Sequence, residues 1–318
     1  MYGSENHFNP SRIRVAGQVQ PIFARWLKST AARSTCDGAC RITIGRPLGN
    51  YILRKGKNMI GICTTITSLP SALFWGSISV SGIIVGALIG IFAPLTHRAI
   101  AATMAVAAGL LLAAATVELA AKAITLTSSL AGGFAALMIG AVGFSWANSV
   151  LSSVGAGDRK RCGVCVSQPS ETSNPGSGNA IALGTAMDAI PEALVLGLTL
   201  KTQGPEAALI AAIALGNLPE AISGSAGMQA AGRSVKWILG VWSTVAVGTV
   251  VLTGAGFLVA GSLSPSLTAA LQLFGAGALI AMVTETIIPE AVHGTPKFVG
   301  TITVVGFAAL LLFAVLAE

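Results

Sequence analysis

Asp188-Ala189-Ile190-Pro191-Glu192-Ala193 and Gly216-Asn217-Leu218-Pro219-Glu220-Ala221 are near-copies of one short phrase, and each lies close to the middle of an apolar segment long enough to cross a bilayer. A proline at such a position removes a helix hydrogen bond and crowds the carbonyl four residues back. A carboxylate at the bilayer centre costs about 2.5–3.5 kcal/mol even on the lenient insertion scale. A chain that carries both features twice has a use for them, and a cation site is the use that fits.

The composition around these phrases is that of a membrane protein. Of 318 residues, 53% are hydrophobic and 10% charged, against about 25% charged in ordinary soluble proteins. The 38 glycines suit close helix–helix approach in lipid. The net charge of +7 is therefore a topology signal, and nucleic acid is not an expected partner. The five cysteines, Cys36, Cys40, Cys63, Cys162 and Cys165, are odd in number and scattered, unlike a secreted disulfide framework.

Apolar segments recur with short polar joints, and eight spans are expected at roughly 72–94, 99–122, 129–150, 180–200, 206–228, 237–260, 266–289 and 297–317. Each fits a hydrocarbon core of about 30 Å at 1.5 Å per residue. The fold class is thus all-α: an eight-helix integral membrane bundle occupying residues 72–318. Counting Lys and Arg in alternate joints gives seven on one side (Arg98, Arg159, Lys160, Arg161, Arg233, Lys236, Lys297) and two on the other (Lys122, Lys201). The positive-inside rule then places both ends of the bundle outside and the long 151–179 loop in the cytoplasm.

Residues 1–58 differ from the rest. They hold ten of the nineteen Lys and Arg against two acids, with no long apolar run. A disordered basic tail, an Arg-rich presequence and upstream sequence read from a misplaced start are the three readings. The third is favoured, because Met59 is followed almost directly by membrane sequence and the tail's charge opposes the topology. The 151–179 loop has linker composition. Its Cys162-Gly-Val-Cys165 supplies two of the four ligands a structural zinc needs, so incidental cysteines and a transient metal or redox role both stay open.

The acids within spans are Glu118, Asp188, Glu192, Glu220 and Glu285, with Glu290 at a span end. All Lys and Arg are placed at loops or span ends, so these carboxylates are expected to be protonated, bonded to backbone, or bound to a cation. Asp188 and Glu192 are four residues apart and share a helix face, as do Asn217 and Glu220 at a spacing of three. Pro191 frees the Met187 carbonyl and Pro219 that of Leu215. Two kinked helices joined by the short Lys201–Pro205 turn would lie side by side and present three carboxylates, an amide oxygen and freed carbonyls to one point. Such an oxygen-rich site suits a divalent cation, with hard ions favoured, and repeated broken helices at mid-membrane are how transporters build central sites. Protonated acids in a packed bundle are the plain alternative, strongest for Glu118, Glu285 and Glu290. Asn217 also reads as a helix–helix hydrogen bond, Met187 and Met282 as apolar filler, and His97 and His293 as solvated joints.

At these residues the chain resembles the ZIP (Zrt/Irt-like) family of divalent-metal transporters, over about residues 72–318. The family phrase is His-Asn-x-Pro-Glu-Gly. Glu192 matches its metal-binding Glu, with Asp188 at the His position and Ala189 at the Asn. In the fifth span Asn217 and Glu220 match, and Gly216 replaces the first ligand. Glu285-Thr-Ile-Ile-Pro-Glu290 is similar to an acidic phrase toward the family's cytoplasmic exit. The run ending at Glu118 in the second span is similar to bacterial members. The resemblance implies a 3+2+3 helix arrangement, both ends outside, no enzymatic activity and no prosthetic group. It also implies a transported Zn²⁺ or Fe²⁺ held by Asp188, Glu192, Asn217, Glu220, Glu285 and Glu290, a cell (inner) membrane location, and admits a homodimer. Both intramembrane His positions are replaced and the sixth span has no acid. That weighs against a second, binuclear site and shifts preference toward harder ions such as Mn²⁺. A membrane protein regulated through Cys162 and Cys165, and a proton-coupled carrier of an organic cation, are the competing functions.

Overall fold

Hydroxyl side chains cap half of the membrane helices. In a computed structural model, which describes residues 68–153, 177–294 and 297–317, Thr96, Ser129, Ser234 and Ser264 each accept a hydrogen bond from the backbone N–H three residues on, at 3.2–3.3 Å. These caps satisfy amides that the first helical turn leaves open. The eight helices that follow are long and apolar enough to span a membrane: α1 (Leu69–Phe92), α2 (His97–Ile124), α3 (Leu130–Leu151), α4 (Asn179–Thr202), α5 (Ala207–Ala230), α6 (Val235–Ser262), α7 (Pro265–His293) and α8 (Val299–Ala317). They agree with the expected spans to within a few residues, and no strand occurs among the described residues. The chain is thus a multi-pass, all-α membrane protein. The 1–58 extension and most of the 151–179 loop, including Cys162 and Cys165, lie outside the described residues.

Prolines within helices do not end them. α4 continues through Pro191 and α5 through Pro219, so the two are continuous rather than broken helices. α1 is the segmented one. It is interrupted at Val80, where Ser79 and Ser81 donate back to the carbonyls of Gly76 and Ile78, a bond type that bends helices. Two wide π-turns also interrupt regular helix, at Ala114–Ala120 in α2 and Val283–Ile287 in α7. Each contains one of the membrane acids, Glu118 and Glu285.

Packing sorts the helices into two sets. α5 lies along the second half of α1, and α4 along α6, with α1 also touching α6; α8 lies along α2, and α3 along α7, with α2 and α7 in contact. Within a set the backbones meet closely. A Cβ on Gly86 of α1 would run into the Leu218 carbonyl of α5, and one on Gly109 of α2 into the Thr303 carbonyl of α8. Between the sets the contact is made through side chains: Leu111 of α2 lies over Gly216 of α5, and Val195 of α4 over Gly275 of α7. α4 and α5 are the most enclosed helices and α3 and α8 the least, with 72% against 17% of the central stretch buried. The main core fills the seam between the sets. Leu111, Leu119, Leu196, Leu209, Ile213 and Leu279 are among its members, and Met282 and Met187 pack there as well, so both methionines are core filler.

Candidate metal site

α4 and α5 deliver their polar residues to the interior because the rest of each helix is apolar and occupied on several sides. Asp188 is 3% exposed, Glu192 2%, Asn217 6% and Glu220 7%. Thr185 lies one turn before Asp188 on the same face of α4 and donates to the Ile181 carbonyl at 3.0 Å. Ser223 and Ser225, both fully buried, follow Glu220 on α5. Neither serine was singled out from the sequence, although hydroxyls one turn past a membrane carboxylate are a readable signal.

Asp188, Glu192 and Glu220 are each engaged by neighbours. Even so, Oε2 of Glu192 and Oε1 of Glu220 accept no hydrogen bond, and neither Nδ2 of Asn217 nor Oγ of Ser225 has a partner. An unsatisfied polar atom in such a place costs about 1–3 kcal/mol. The assignment of amide N and O on Asn217 is interchangeable, so the amide can present its oxygen instead. The donor chemistry is carboxylate, amide and hydroxyl oxygen throughout, which suits a hard divalent cation.

The expected three carboxylates do not form one metal-holding group. Among the described residues no three His, Cys, Asp or Glu side chains form a group able to hold a metal ion. The reason lies in the packing. α5 is held against α1 and α2, and α4 against α6 and α7, so the two helices touch each other only sparingly despite the short turn that joins them. Gly216, at the position of the family's first ligand in the fifth span, is also closed off. A Cβ there would come within 2.9 Å of the Leu111 side chain, so a larger residue needs Leu111 to move.

The remaining acids fall elsewhere. Glu118 corrects the expectation that no basic side chain shares the acids' environment. Lys122 lies inside α2, one turn on, and its Nζ is 2.7 Å from Glu118 Oε2 and 3.4 Å from Glu206 Oε2 at the start of α5. This ion group bridges α2 and α5 at the seam. Glu285 accepts hydrogen bonds from Ser145 Oγ and, at 3.0 Å, from Asn148 Nδ2, both on α3. It is exposed, and Glu290 half-buried, so these two stand apart from the buried residues of α4 and α5. His293 is exposed and His97 half-buried.

No family model matches the chain, and no curated protein matches it.

Proposed function

We propose that the chain is a ZIP-like transporter that moves a divalent metal ion across the membrane by alternating access. One observation carries the reading: Asp188, Glu192, Asn217 and Glu220 are all buried, at 7% exposure or less, in the middle of the two most enclosed apolar helices. Side chains that are this costly in lipid mark ion paths. Glu192 and Glu220 would be the principal ligands of the cargo ion, with Asp188 and Asn217 completing its shell. A cation held by both helices would draw α4 and α5 together within the set that they share.

The 3+2+3 arrangement has support in the packing. α1 pairs with α5 as α6 pairs with α4, and α2 pairs with α8 as α7 pairs with α3. α2 and α7 each hold a glutamate in a π-turn. Exchanging α1–α3 with α6–α8, and α4 with α5, thus preserves the pattern. With the basic joints inside, both ends lie outside, the host is the cell membrane, and transport runs toward the cytoplasm past Glu285 and Glu290. The cargo is Zn²⁺, Fe²⁺ or Mn²⁺, and the all-oxygen donor set favours the hardest of these. The carboxylates must be deprotonated to bind it, so acidification should slow uptake.

The test is uptake of these three ions into proteoliposomes by the wild type and by Glu192→Ala/Glu220→Ala. Faster entry of at least one ion in the wild type is expected. Equal entry for all three would end the transporter reading, and flux of an organic cation without metal dependence would transfer it to the carrier class.

A further inference from the structure

α4 and α6 enclose a groove of about 570 Å³ that opens on the outer surface of the bundle. Its α4 wall is a row of small side chains, Ala182, Ala186 and Ala189, and its α6 wall carries Gly240, Thr244 and Gly248. Trp237 stands at one end, and Ile190 lies toward the middle of the bundle, immediately before Pro191 and Glu192. The volume falls in the range of about 300–1,000 Å³ that holds a small ligand.

Two glycines line the groove. Where Gly86 and Gly109 are needed because a neighbouring backbone would meet any Cβ, a Cβ on Gly240 or Gly248 meets nothing within 4 Å. Internal packing therefore gives no reason for either glycine, although each weakens a helix interior by about 0.5–1 kcal/mol relative to Ala. What they do is keep the groove open.

Two basic residues, Arg233 and Lys236, lie close in sequence to Trp237 at the groove's end. α5 ends with Gly232 at φ +82°, and the Arg233 N–H bonds back to the Met228 carbonyl at 3.0 Å. Ser234 then caps α6. This double-capped turn sets the Arg233 guanidinium 5.2 Å from the centre of the Trp237 ring, with Lys236 exposed beside it. Tryptophan is enriched at headgroup level, and basic pockets between membrane helices receive anionic headgroups.

We propose that this groove seats one acyl chain of an anionic phospholipid, with its phosphate against Arg233 and Lys236 and its tail running past Gly240 and Gly248 toward Ile190. The lipid would brace α4 directly before its Pro-Glu phrase. Binding is independent of whether the chain carries metal, and its test reads lipid alone.

Full-length protein is equilibrated with vesicles of equal phosphatidylglycerol and phosphatidylcholine, extracted, and weighed by native mass spectrometry. Preferential retention of one phosphatidylglycerol is expected. Arg233→Gln and Lys236→Gln should each lower that preference about fivefold, the contribution of one basic side chain near an anionic lipid surface. Gly240→Leu/Gly248→Leu should remove retained lipid of either kind, and Thr244→Leu gives the same readout should the double variant fail to fold. Equal retention of both lipids by the wild type overturns the proposal. So does undiminished lipid in a folded groove-filled variant, or loss of a dimer without loss of lipid, which would give the groove to a second copy of the chain.

Discussion

α2 and α7 carry acids in apolar helices just as α4 and α5 do, yet the two pairs treat them differently. Glu118 and Glu285 sit in π-turns, a local widening often associated with functional positions, and each has named side-chain partners: Lys122 for one, Ser145 and Asn148 for the other. Glu192 and Glu220 sit in continuous α-helix, each directly after a proline, and each keeps a carboxylate oxygen that accepts no hydrogen bond. A membrane acid can thus sit in a π-turn tied to polar side chains, or be buried in continuous helix directly after a proline. The first kind ties its helix to polar partners, and the second lies within the two most enclosed helices.

Substitutions can break or sharpen this contrast. The largest effect is expected at the second pair. Glu192→Gln or Glu220→Gln should lower metal uptake about tenfold to a hundredfold or more, since even supporting residues of a metal site cost that much. Neither change should much lower thermal stability, because the amide keeps the shape and removes a buried charge. Uptake equal to wild type would erase the contrast. Lys122→Met should act the other way, lowering thermal stability by about 1–3 kcal/mol through the stranded Glu118. Glu118→Gln in the same chain should recover part of the loss. A Lys122→Met protein as stable as wild type would show that the ion group contributes nothing.

Gly216 offers a third and intermediate test. Gly216→Ala forces a methyl against Leu111 and should cost about 1–3 kcal/mol, the usual range for overpacking. Leu111→Ala in the same chain should give less than additive destabilisation in a thermal melt, and simple additivity would deny the contact. The smallest effect belongs to the half-buried partner of Glu285, on α3. Asn148→Ala should change stability by only about 0.5–1 kcal/mol and leave uptake within a few-fold of wild type. A collapse of uptake there would show that the exit past Glu285 depends on this hydrogen bond.

Much of this architecture was legible in the sequence, for a physical reason. Whether a helix spans a membrane depends on its own length and polarity, so eight spans and their joints could be placed within a few residues. Burial of Asp188, Glu192, Asn217 and Glu220 followed from the same local pattern, because polar groups in an apolar helix turn toward the interior. The Glu118–Lys122 pair was legible too, at the spacing of one helical turn. It was missed because Lys122 was placed at a joint, whereas α2 runs on to Ile124.

The tertiary structure alone decided which helices meet. Hydropathy is nearly uniform around these helices, so it does not name a partner. That choice rests on where glycines let backbones approach and where Leu111 and Val195 hold them apart. Those contacts set α5 against α1 and α2, and α4 against α6 and α7, so the two helices that carry the phrases touch each other only sparingly. They also closed the space beside Gly216 and left open the groove along Gly240 and Gly248. The acids and their depth were thus written in the chain itself. Their partners, and the space around them, came from shape complementarity between helices far apart in sequence.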